Sequence, residues 1–386
     1  MISHIQFLIP MASRKRTQTH RVVTLGGDCD GICSAAIAME LILGSRSAFK
    51  HVFASELCSA TRSLLVRNHD IEKVYTDVMK RDHNTLPCVD CYTSGPPCQP
   101  FSVAGLQRGL SDERAGPLLE VVNTIMIMKP HCFILEEVPA LVNKFPNILE
   151  DVLGLLGGIR DSIGRAIYTV DASVIDSLEC GLPQRRRRLY IVGWKNSLRM
   201  PGLCFSWPSK LKQPCLDAFL SPVDATAEPE LPLSKTGLSN LTALLESVAA
   251  AGIDWQKKTV CLDIGSSRNR GKQYAVGVCQ TLTRSRCGSL GYWLSKHQRF
   301  MTTDEMFKLQ GVPAGRITRK DAMYEVKRGR HSQKKFKKIY KRQVSDRQVR
   351  LAIGNAMSVP AVGRILHSLL RLLGYIEASH PDPWLV

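Results

Sequence analysis

Short apolar runs of strand length alternate with helical stretches from Arg21 to about Gly193. Such alternation is typical of a parallel sheet with helices on both faces, where ligands bind at the carboxyl ends of the strands. It predicts an α/β fold with a doubly wound, mostly parallel sheet. The predicted strands are 21–25, 51–54, 73–75, 90–93, 131–135, 166–170 and 188–192, and the predicted helices are 32–43, 59–66, 117–128 and 139–156.

The rhythm changes after Trp194, where six prolines interrupt a polar stretch before residue 233. Because proline ends helices and central strands, residues 194–298 are predicted to form a second, smaller and irregular lobe. The apolar run 361–373 predicts a helix that packs back on the first domain. The other predicted parts are a basic tail at 1–20, the first domain at 21–193, returning segments at 299–315 and 351–376, and a basic insertion at 316–350.

The net charge of +18 is concentrated in two segments. Residues 316–350 hold fourteen Lys or Arg against three acids, and residues 1–27 hold four against none. Local charge of this kind favours contact with a polyanion. Thirteen cysteines without framework spacing favour reduced intracellular thiols, and a single Cys-x-x-Cys pair at Cys88 and Cys91 predicts no metal site. No run approaches the roughly 20 apolar residues of a membrane span, so no membrane association is predicted.

The segment Ser94-Gly95-Pro96-Pro97-Cys98-Gln99-Pro100-Phe101-Ser102 carries the chemistry. Two consecutive prolines fix φ and remove two amide donors, so the loop cannot become a helix or a central strand. Cys98 is then held out rather than packed, although a buried structural cysteine is the alternative. The segment resembles the nucleophile loop of DNA (cytosine-5)-methyltransferases, which reads Gly-Pro-Pro-Cys-Gln and then Phe-Ser.

Two further segments follow in the order of that family. Phe133-Ile134-Leu135-Glu136-Glu137-Val138 is similar to a strand ending in Glu-Asn-Val, with Glu137 where the family has asparagine. Gly181-Leu182-Pro183-Gln184-Arg185-Arg186-Arg187-Arg188 is similar to Gln-x-Arg-x-Arg, and strand alternation places Arg186 and Arg188 on one face. The alternatives are a solvated acid and a generic basic strand. The resemblance implies that the catalytic residues are Cys98 as nucleophile, Glu136 against the cytosine ring, and Gln184, Arg186 and Arg188 around it.

The resemblance also implies a Rossmann-like fold that binds S-adenosylmethionine. Asp30-Gly31-Ile32 opens the first helix and is similar to the animal de novo branch of the family, but Cys29 stands where an aromatic residue is expected. Glu56 and Asp77 end the second and third strands and match the acids for ribose and adenine. Gly354-Asn355-Ala356-Met357-Ser358-Val359 resembles the family's Gly-Asn-Ser/Ala-Val, with one added residue. The predicted cofactor-binding residues are Asp30, Gly31, Ile32, Glu56, Asp77, Val78, Pro97, Asn355 and Val359.

Double-stranded DNA is the implied partner, and no protein partner is predicted. The basic run 327–342 is equally compatible with phosphate contacts and with a nuclear-import signal, and a merely solvated insertion is a third reading. The predicted location is the nucleus, with an organelle or a nucleoid as alternatives. The predicted DNA-binding residues are Gln99, Ser102, Arg268, Arg270, Lys272, Arg284, Arg286, Lys334, Lys335, Lys337 and Lys338.

These motifs together imply an S-adenosylmethionine-dependent DNA (cytosine-5)-methyltransferase, and two alternatives stay open. A branch of the family methylates transfer RNA, but it carries Pro-Phe-Thr after Cys-Gln and a Cys-Phe-Thr motif. Here Pro100-Phe101-Ser102 stands and no Cys-Phe-Thr occurs, so DNA is favoured. The second alternative is a non-catalytic DNA-binding regulator, suggested by Cys29, Glu137 and the altered Gly-Asn segment.

Overall fold

The computed structural model describes residues 22–97, 116–222, 230–232, 234–265, 273–328 and 338–385. For residues 326–328 and 338–340 it describes the backbone alone.

A seven-stranded sheet forms the centre of the large domain. Its order is β3-β2-β1-β4-β5-β7-β6, and its first five strands are parallel while β7 runs antiparallel to both of its neighbours. The strands are β1 (Val23–Asp28), β2 (Phe49–Ser55), β3 (Ile71–Tyr75), β4 (Cys91–Ser94), β5 (Cys132–Glu137), β6 (Tyr168–Asp176) and β7 (Arg187–Lys195). The predicted doubly wound, mostly parallel sheet is confirmed. The largest difference is β6, which extends past residue 170 because it pairs along its whole length with β7.

The described residues form α-helices in the second lobe as well as on both faces of this sheet. They are α1 (Ser34–Leu43), α2 (Ser59–Asn68), α3 (Gly116–Met128), α4 (Ala140–Asn143), α5 (Pro146–Gly157), α6 (Lys235–Ala250), α7 (Arg284–Gly288), α8 (Thr303–Leu309), α9 (Asp346–Asn355) and α10 (Val359–Leu372). Helices α1, α2 and α10 pack on one face, and α3 and α5 pack on the other. The single helix predicted at 139–156 is two helices, because Pro146 disfavours a helical conformation at Phe145 and is itself the first residue of α5.

The second lobe is more regular than predicted. Its antiparallel sheet has the order β11-β10-β8-β9, and α6 packs Leu241 and Val248 against this sheet. The strands are β8 (Val260–Asp263), β9 (Tyr274–Val276), β10 (Tyr292–Leu294) and β11 (Arg299–Phe300). Since β11 pairs with β10, the lobe continues beyond the predicted boundary at 298. The prolines lie in the segment that precedes this sheet. They therefore led to the prediction of a lobe that is less regular than the observed one.

The predicted basic insertion at 316–350 is not one unit. Its centre is an antiparallel hairpin of β12 (Met323–Arg328) and β13 (Lys338–Gln343). Its first residue, Arg316, is mostly buried and donates to Glu40 on α1 over 2.8 Å, so it belongs to the large domain. Its end lies within α9. This helix begins at a capping box that Ser345 and Gln348 form. Among the described residues, no helix is long and apolar enough to cross a bilayer.

Candidate active site

The strand order reverses direction between β1 and β4, and the crevice at their carboxyl ends is where ligands bind in open α/β sheets. β1 ends at Asp28 and β4 ends at Ser94, whose hydroxyl donates to the Asp28 carbonyl over 2.8 Å. The segment Gly95-Pro96-Pro97 leaves β4 at this crevice, with Pro97 half-buried. The predicted nucleophile Cys98 follows directly, but Cys98, Gln99 and Ser102 lie outside the described residues.

A buried ion pair fixes the floor of this crevice. Both terminal nitrogens of Arg81 donate to the carboxylate of Asp28, and the Tyr92 hydroxyl donates to Asp28 Oδ2 over 2.5 Å. The side chains of Asp28 and Arg81 are almost completely excluded from solvent. The end of β1 is therefore held rigidly, as a binding turn requires.

Glu136 and two arginines form a polar cluster beside the crevice. Glu136 Oε1 lies 3.1 Å from Arg188 Nε and 3.6 Å from Arg186 Nη2. Arg186 also donates to the Leu282 carbonyl over 2.9 Å. Arg185 and Arg187 are exposed, so the predicted alternation of the four arginines is confirmed. Two arginines thus hold the Glu136 carboxylate in a fixed orientation. Such a carboxylate can form hydrogen bonds with the polar atoms of a planar ring.

Gln184 does not reach this cluster through its amide. Its nitrogen donates to the Leu309 carbonyl over 2.6 Å, and its oxygen accepts from the Leu282 amide over 3.0 Å. The side chain is fully buried. Because backbone groups use both ends of the Gln184 amide, the position of its side chain does not support the prediction that it holds the cytosine.

Met357, one of the two residues that make the Gly-Asn segment irregular, lies at the site. A Cβ added to Gly95 would lie 3.4 Å from Met357 Cε and 3.6 Å from Glu136 Oε2. Met357 is thus directly beside the start of the Cys98 segment. The Ser358 hydroxyl is buried without a hydrogen-bond partner among the described residues. The additional residue in the Gly-Asn segment was the sequence signal for this position, because it places the long side chain of Met357 there.

A second cluster surrounds the turn between β1 and α1. Gly31 has φ +59°, a conformation that glycine adopts readily, and among the described residues, its chain neighbours apart, no atom lies within 4 Å of the position of a Cβ there. Its amide donates to Glu56 Oε2 over 3.0 Å, and the Cys58 amide donates to Glu56 Oε1 over 2.8 Å. The turn therefore leaves open space beside a firmly oriented carboxylate.

Burial raises the pKa of Glu56, and the two amide donors oppose the rise. The positive charge of Arg284 also lowers the pKa of Glu56. Arg284 lies in the second lobe and was predicted to contact DNA. The backbone of Arg284 packs closely on α9, because a Cβ on Gly354 of α9 would lie 2.5 Å from the Arg284 amide nitrogen.

The other predicted cofactor residues differ in accessibility. Asp77 is half-buried and accepts from the Met79 amide over 3.0 Å, and Val78 is buried beneath it. Ile32 is buried, while Leu57, which follows Glu56, is 71% exposed. An exposed apolar side chain beside an oriented carboxylate suits the planar base of a nucleoside. Leu57 was missed because a single leucine in the sequence carries no such signal.

Asp30 points away from the open side of the turn. A Cβ on Gly27 would lie 2.4 Å from Asp30 Oδ1, so the carboxyl group folds back over Gly27 into the interior. Cys29 is half-buried with φ +55°, an unusual conformation for a residue with a side chain. The side chain of Asp30 therefore does not face the open side of the turn, and the predicted cofactor-binding role of Asp30 stays a prediction.

Asn355 and Val359 lie at the junction of α9 and α10. Asn355 is exposed, whereas Val359 is fully buried and its amide donates to the Gln310 carbonyl over 2.9 Å. Val359 therefore anchors the helix start rather than offering its side chain to a ligand.

Most predicted DNA contacts lie outside the described residues, namely Arg268, Arg270, Lys272, Lys334, Lys335 and Lys337. Lys338 is described only as the first residue of β13. Arg286 is half-buried, and its Nε lies 3.1 Å from Asp263 Oδ1. Arg286 is thus oriented inward by the lobe's own sheet, and the predicted phosphate contact is not supported.

Glu137 faces the opposite side of the sheet from Glu136, as strand alternation requires. It is buried, Oε1 has no hydrogen-bond partner among the described residues, and Oε2 accepts from the Val138 amide over 3.1 Å. Burial raises the pKa of Glu137 to about 8, with a smaller contribution from the charge of Glu136. Burial therefore favours the neutral form of Glu137.

The doubly wound sheet, the open turn beside the Glu56 carboxylate and the polar cluster beside β4 are the features of a Rossmann-like methyltransferase. A family model for C-5 cytosine-specific DNA methylases matches residues 29–371. The chain belongs to this family. It is a DNA (cytosine-5)-methyltransferase, and its methyl donor is S-adenosylmethionine.

Curated relatives extend along most of the chain. The type II methyltransferase M.HaeII of Haemophilus aegyptius is 26% identical over 325 residues, which cover 84% of this chain and 87% of the relative. M.NgoBI of Neisseria gonorrhoeae is 28% identical over 316 residues, which cover 81% and 83%. Both relatives are bacterial, so they give the predicted nuclear location no support.

Two solved structures show the same fold. A putative DNA modification methyltransferase from an Escherichia coli prophage has a TM-score of 0.57 at 18% identity, covering 91% of this chain and 99% of that one. The Dnmt2 methyltransferase of S. pombe has a TM-score of 0.54 at 15% identity, covering 90% of this chain and 98% of that one. At these identities the likeness concerns the fold alone.

Proposed function

We propose that this chain methylates C5 of a cytosine that is flipped out of duplex DNA, through a covalent bond between Cys98 Sγ and C6 of the base. The observation that carries the proposal is the position of Glu136. Ser94 pairs with Leu135 in the register of β4 and β5, so Gly95 begins the Cys98 segment directly beside Glu136. Three residues of chain span at most about 11 Å, which keeps Cys98 within reach of a base bound at Glu136.

The reaction needs a catalytic thiolate because C5 of cytosine by itself is too weakly nucleophilic to attack a methyl group. Addition of the Cys98 thiolate to C6 makes C5 enamine-like, and C5 can then attack an electrophilic methyl group. A base next removes the C5 proton, and the C6–sulfur bond breaks to release Cys98 and methylcytosine. The ring must leave the helical stack, since its C6 face is closed within the duplex.

The polar cluster supplies the hold on the ring. Glu136 Oε2 faces the start of the Cys98 segment, and its Oε1 is engaged by Arg188 and Arg186. The free edge of Glu136 can therefore hydrogen-bond N3 and the 4-amino group of cytosine. Holding N3 with a shared proton draws electron density from C6 and favours attack by the thiolate.

The turn at Gly31 suits the methyl donor. S-adenosylmethionine supplies the electrophilic sulfonium methyl group when it is bound. Glu56 would accept from the ribose hydroxyls, Leu57 would contact the adenine face, and the absence of a side chain at Gly31 lets the ligand approach the backbone. Asp77 is placed at the next strand end, where the adenine amino group would lie.

The basic hairpin and its flanks would hold the DNA backbone. Lys341 and Arg342 are exposed on β13, next to the predicted phosphate-contact residues that lie outside the described part. Such contacts carry no sequence information and weaken steeply with salt. The likeness of the cofactor turn to the animal de novo branch remains a prediction.

The test is transfer of labelled methyl from S-adenosylmethionine to unmethylated duplex DNA, with transfer RNA in parallel. We expect DNA labelling that Cys98→Ala abolishes and that Cys88→Ala, which changes an exposed thiol, leaves intact. DNA containing 5-fluorocytosine should form a denaturation-resistant adduct with the parent protein alone, because fluorine cannot leave as a proton does. Labelling of transfer RNA alone would support the RNA alternative. DNA binding without cofactor binding or labelling would support the regulator, and activity in Cys98→Ala would overturn the covalent mechanism.

A further inference from the structure

Three chemically distinct side chains converge beneath the cofactor turn. Asp30, Cys33 and His51 are each more than nine-tenths buried. One carboxylate oxygen, the thiol sulfur and one ring nitrogen all lie within 4.8 Å of one another. The separation of Cys33 Sγ from His51 Nε2 is 4.0 Å.

The local backbone is shaped to bring these groups together. Gly27 leaves the space into which the Asp30 carboxyl group folds. Cys33, the residue just before α1, has φ +53°, which is a costly conformation for cysteine. This backbone conformation sets the direction of its side chain. The pairing of β1 with β2 shifts by one residue just after His51, and such bulges re-aim side chains near functional sites.

One carboxylate oxygen of the set, Asp30 Oδ2, has no hydrogen-bond partner among the described residues. A buried polar atom without a partner costs about 1–3 kcal/mol, so this oxygen calls for a missing partner such as an ion. A neutral imidazole keeps a lone pair on one ring nitrogen for a ligand bond.

We propose that Asp30, Cys33 and His51 bind a single divalent transition-metal ion, with zinc as the expected occupant. Thiolate, imidazole and carboxylate together are a ligand set that zinc prefers, and three protein ligands leave a fourth position for solvent. With bonds of about 2.0–2.3 Å, tetrahedral geometry needs ligand separations near 3.5 Å, so the groups must close by about 1 Å. Loss of the thiol and carboxyl protons would balance the charge of the ion.

A cavity reaches His51, the one proposed ligand among its lining residues. It has a volume of about 630 Å³ and is lined by His51 and His69, with Lys50 and Glu72 at its wall. Lys50 Nζ lies 2.8 Å from Glu72 Oε1, so this cation is neutralised by a partner. Solvent in the cavity could supply the fourth ligand. The bound ion would link the turn that carries Gly31 to β2 and would thereby stabilise the cofactor site.

The sequence alone did not suggest this site. Its ligands come from a turn and from the next strand, which are adjacent only because β1 and β2 pair in parallel. The proposal rests on this packing and does not depend on the covalent mechanism.

The first experiment is titration of the full-length, chelator-treated protein with Co²⁺ under reducing conditions. We expect one equivalent to produce thiolate-to-cobalt charge-transfer absorption and the intense visible bands of tetrahedral cobalt. Cys33→Ser and His51→Gln should each remove or strongly reduce these bands. Cys180→Ser, which changes another buried thiol, should not. Bands that persist unchanged in Cys33→Ser would overturn the proposal, as would their absence in the parent protein.

X-ray absorption of the zinc-loaded parent protein tests the site without any substitution, in case the variants fail to fold. One sulfur at about 2.3 Å with nitrogen or oxygen ligands at about 2.0–2.1 Å is expected. Coordination by two or more sulfurs would place the ion elsewhere and refute the proposal.

Discussion

Arg188 Nε lies 3.1 Å from Glu136 Oε1, so the ends of two antiparallel strands share one ion pair. Tyr190 is directly opposite Glu136, which makes Arg188 its diagonal neighbour on the same face of the sheet. The ion pair orients Glu136 before any base arrives. Such preorganisation avoids reorienting the carboxylate during the reaction.

We predict that Arg188→Ala lowers kcat by about 100-fold, the cost typical of losing one preorganised electrostatic contact. Arg188→Lys should recover part of the activity, because it restores the charge without the fork geometry. Methyl transfer at saturating cofactor measures both effects. Arg165→Ala, which changes an exposed arginine paired with Asp161, is the control and should behave as the parent protein. An unchanged kcat in Arg188→Ala would refute the role of the ion pair.

Glu56→Gln should weaken cofactor binding by about 10- to 100-fold, since hydrogen bonds to a charged group contribute about 1.5–3 kcal/mol each. The KM for S-adenosylmethionine should rise while kcat at saturation changes little. Leu57→Ala should raise the same KM by a smaller factor, because it removes apolar contact alone. Glu150→Gln, at an exposed position on α5, is the matched control. Equal effects of Glu56→Gln and Glu150→Gln would contradict the assignment.

The sequence predicted those parts of the fold and site that depend on local order along the chain. The strands, the turn at Gly31 and the positions of Glu56 and Glu136 follow from alternation and from motifs at strand ends. Contacts between distant segments were not predictable in this way. The backbone groups that form hydrogen bonds with the Gln184 amide belong to residues about a hundred positions away. The ion pair of Arg286 with Asp263 depends on the second sheet. The inward turn of Asp30 depends on the lack of a side chain at Gly27.

Asp28→Asn should destabilise the protein by about 3–5 kcal/mol, because it leaves the buried Arg81 without a charged partner. Urea unfolding measures this as a shift in the midpoint at unchanged m. The double variant Asp28→Asn/Arg81→Met should recover part of the loss, since it removes the stranded charge. Glu72→Gln breaks the exposed pair with Lys50 and should cost less than about 1 kcal/mol. Similar losses in Asp28→Asn and Glu72→Gln would show that the buried pair is not stabilising.

Glu137 should make stability fall as pH rises. Its pKa is about 8 in the folded protein because of burial, whereas an unfolded glutamate titrates near about 4.3. Between these values the folded state holds one more proton than the unfolded state, so the free energy of unfolding declines by about 1.4 kcal/mol per pH unit. Below about pH 4 and above about pH 8 this group has no further effect.

Glu137→Gln keeps the shape of the side chain and cannot ionise, so it should remove this decline. We expect the variant to gain stability relative to the parent protein between pH 5 and pH 8, reaching about 4–5 kcal/mol before levelling off. Urea midpoints at each pH measure the difference, and the titration of all other groups cancels between the two proteins. Parallel stability curves across this range would show that Glu137 is already ionised in the folded state.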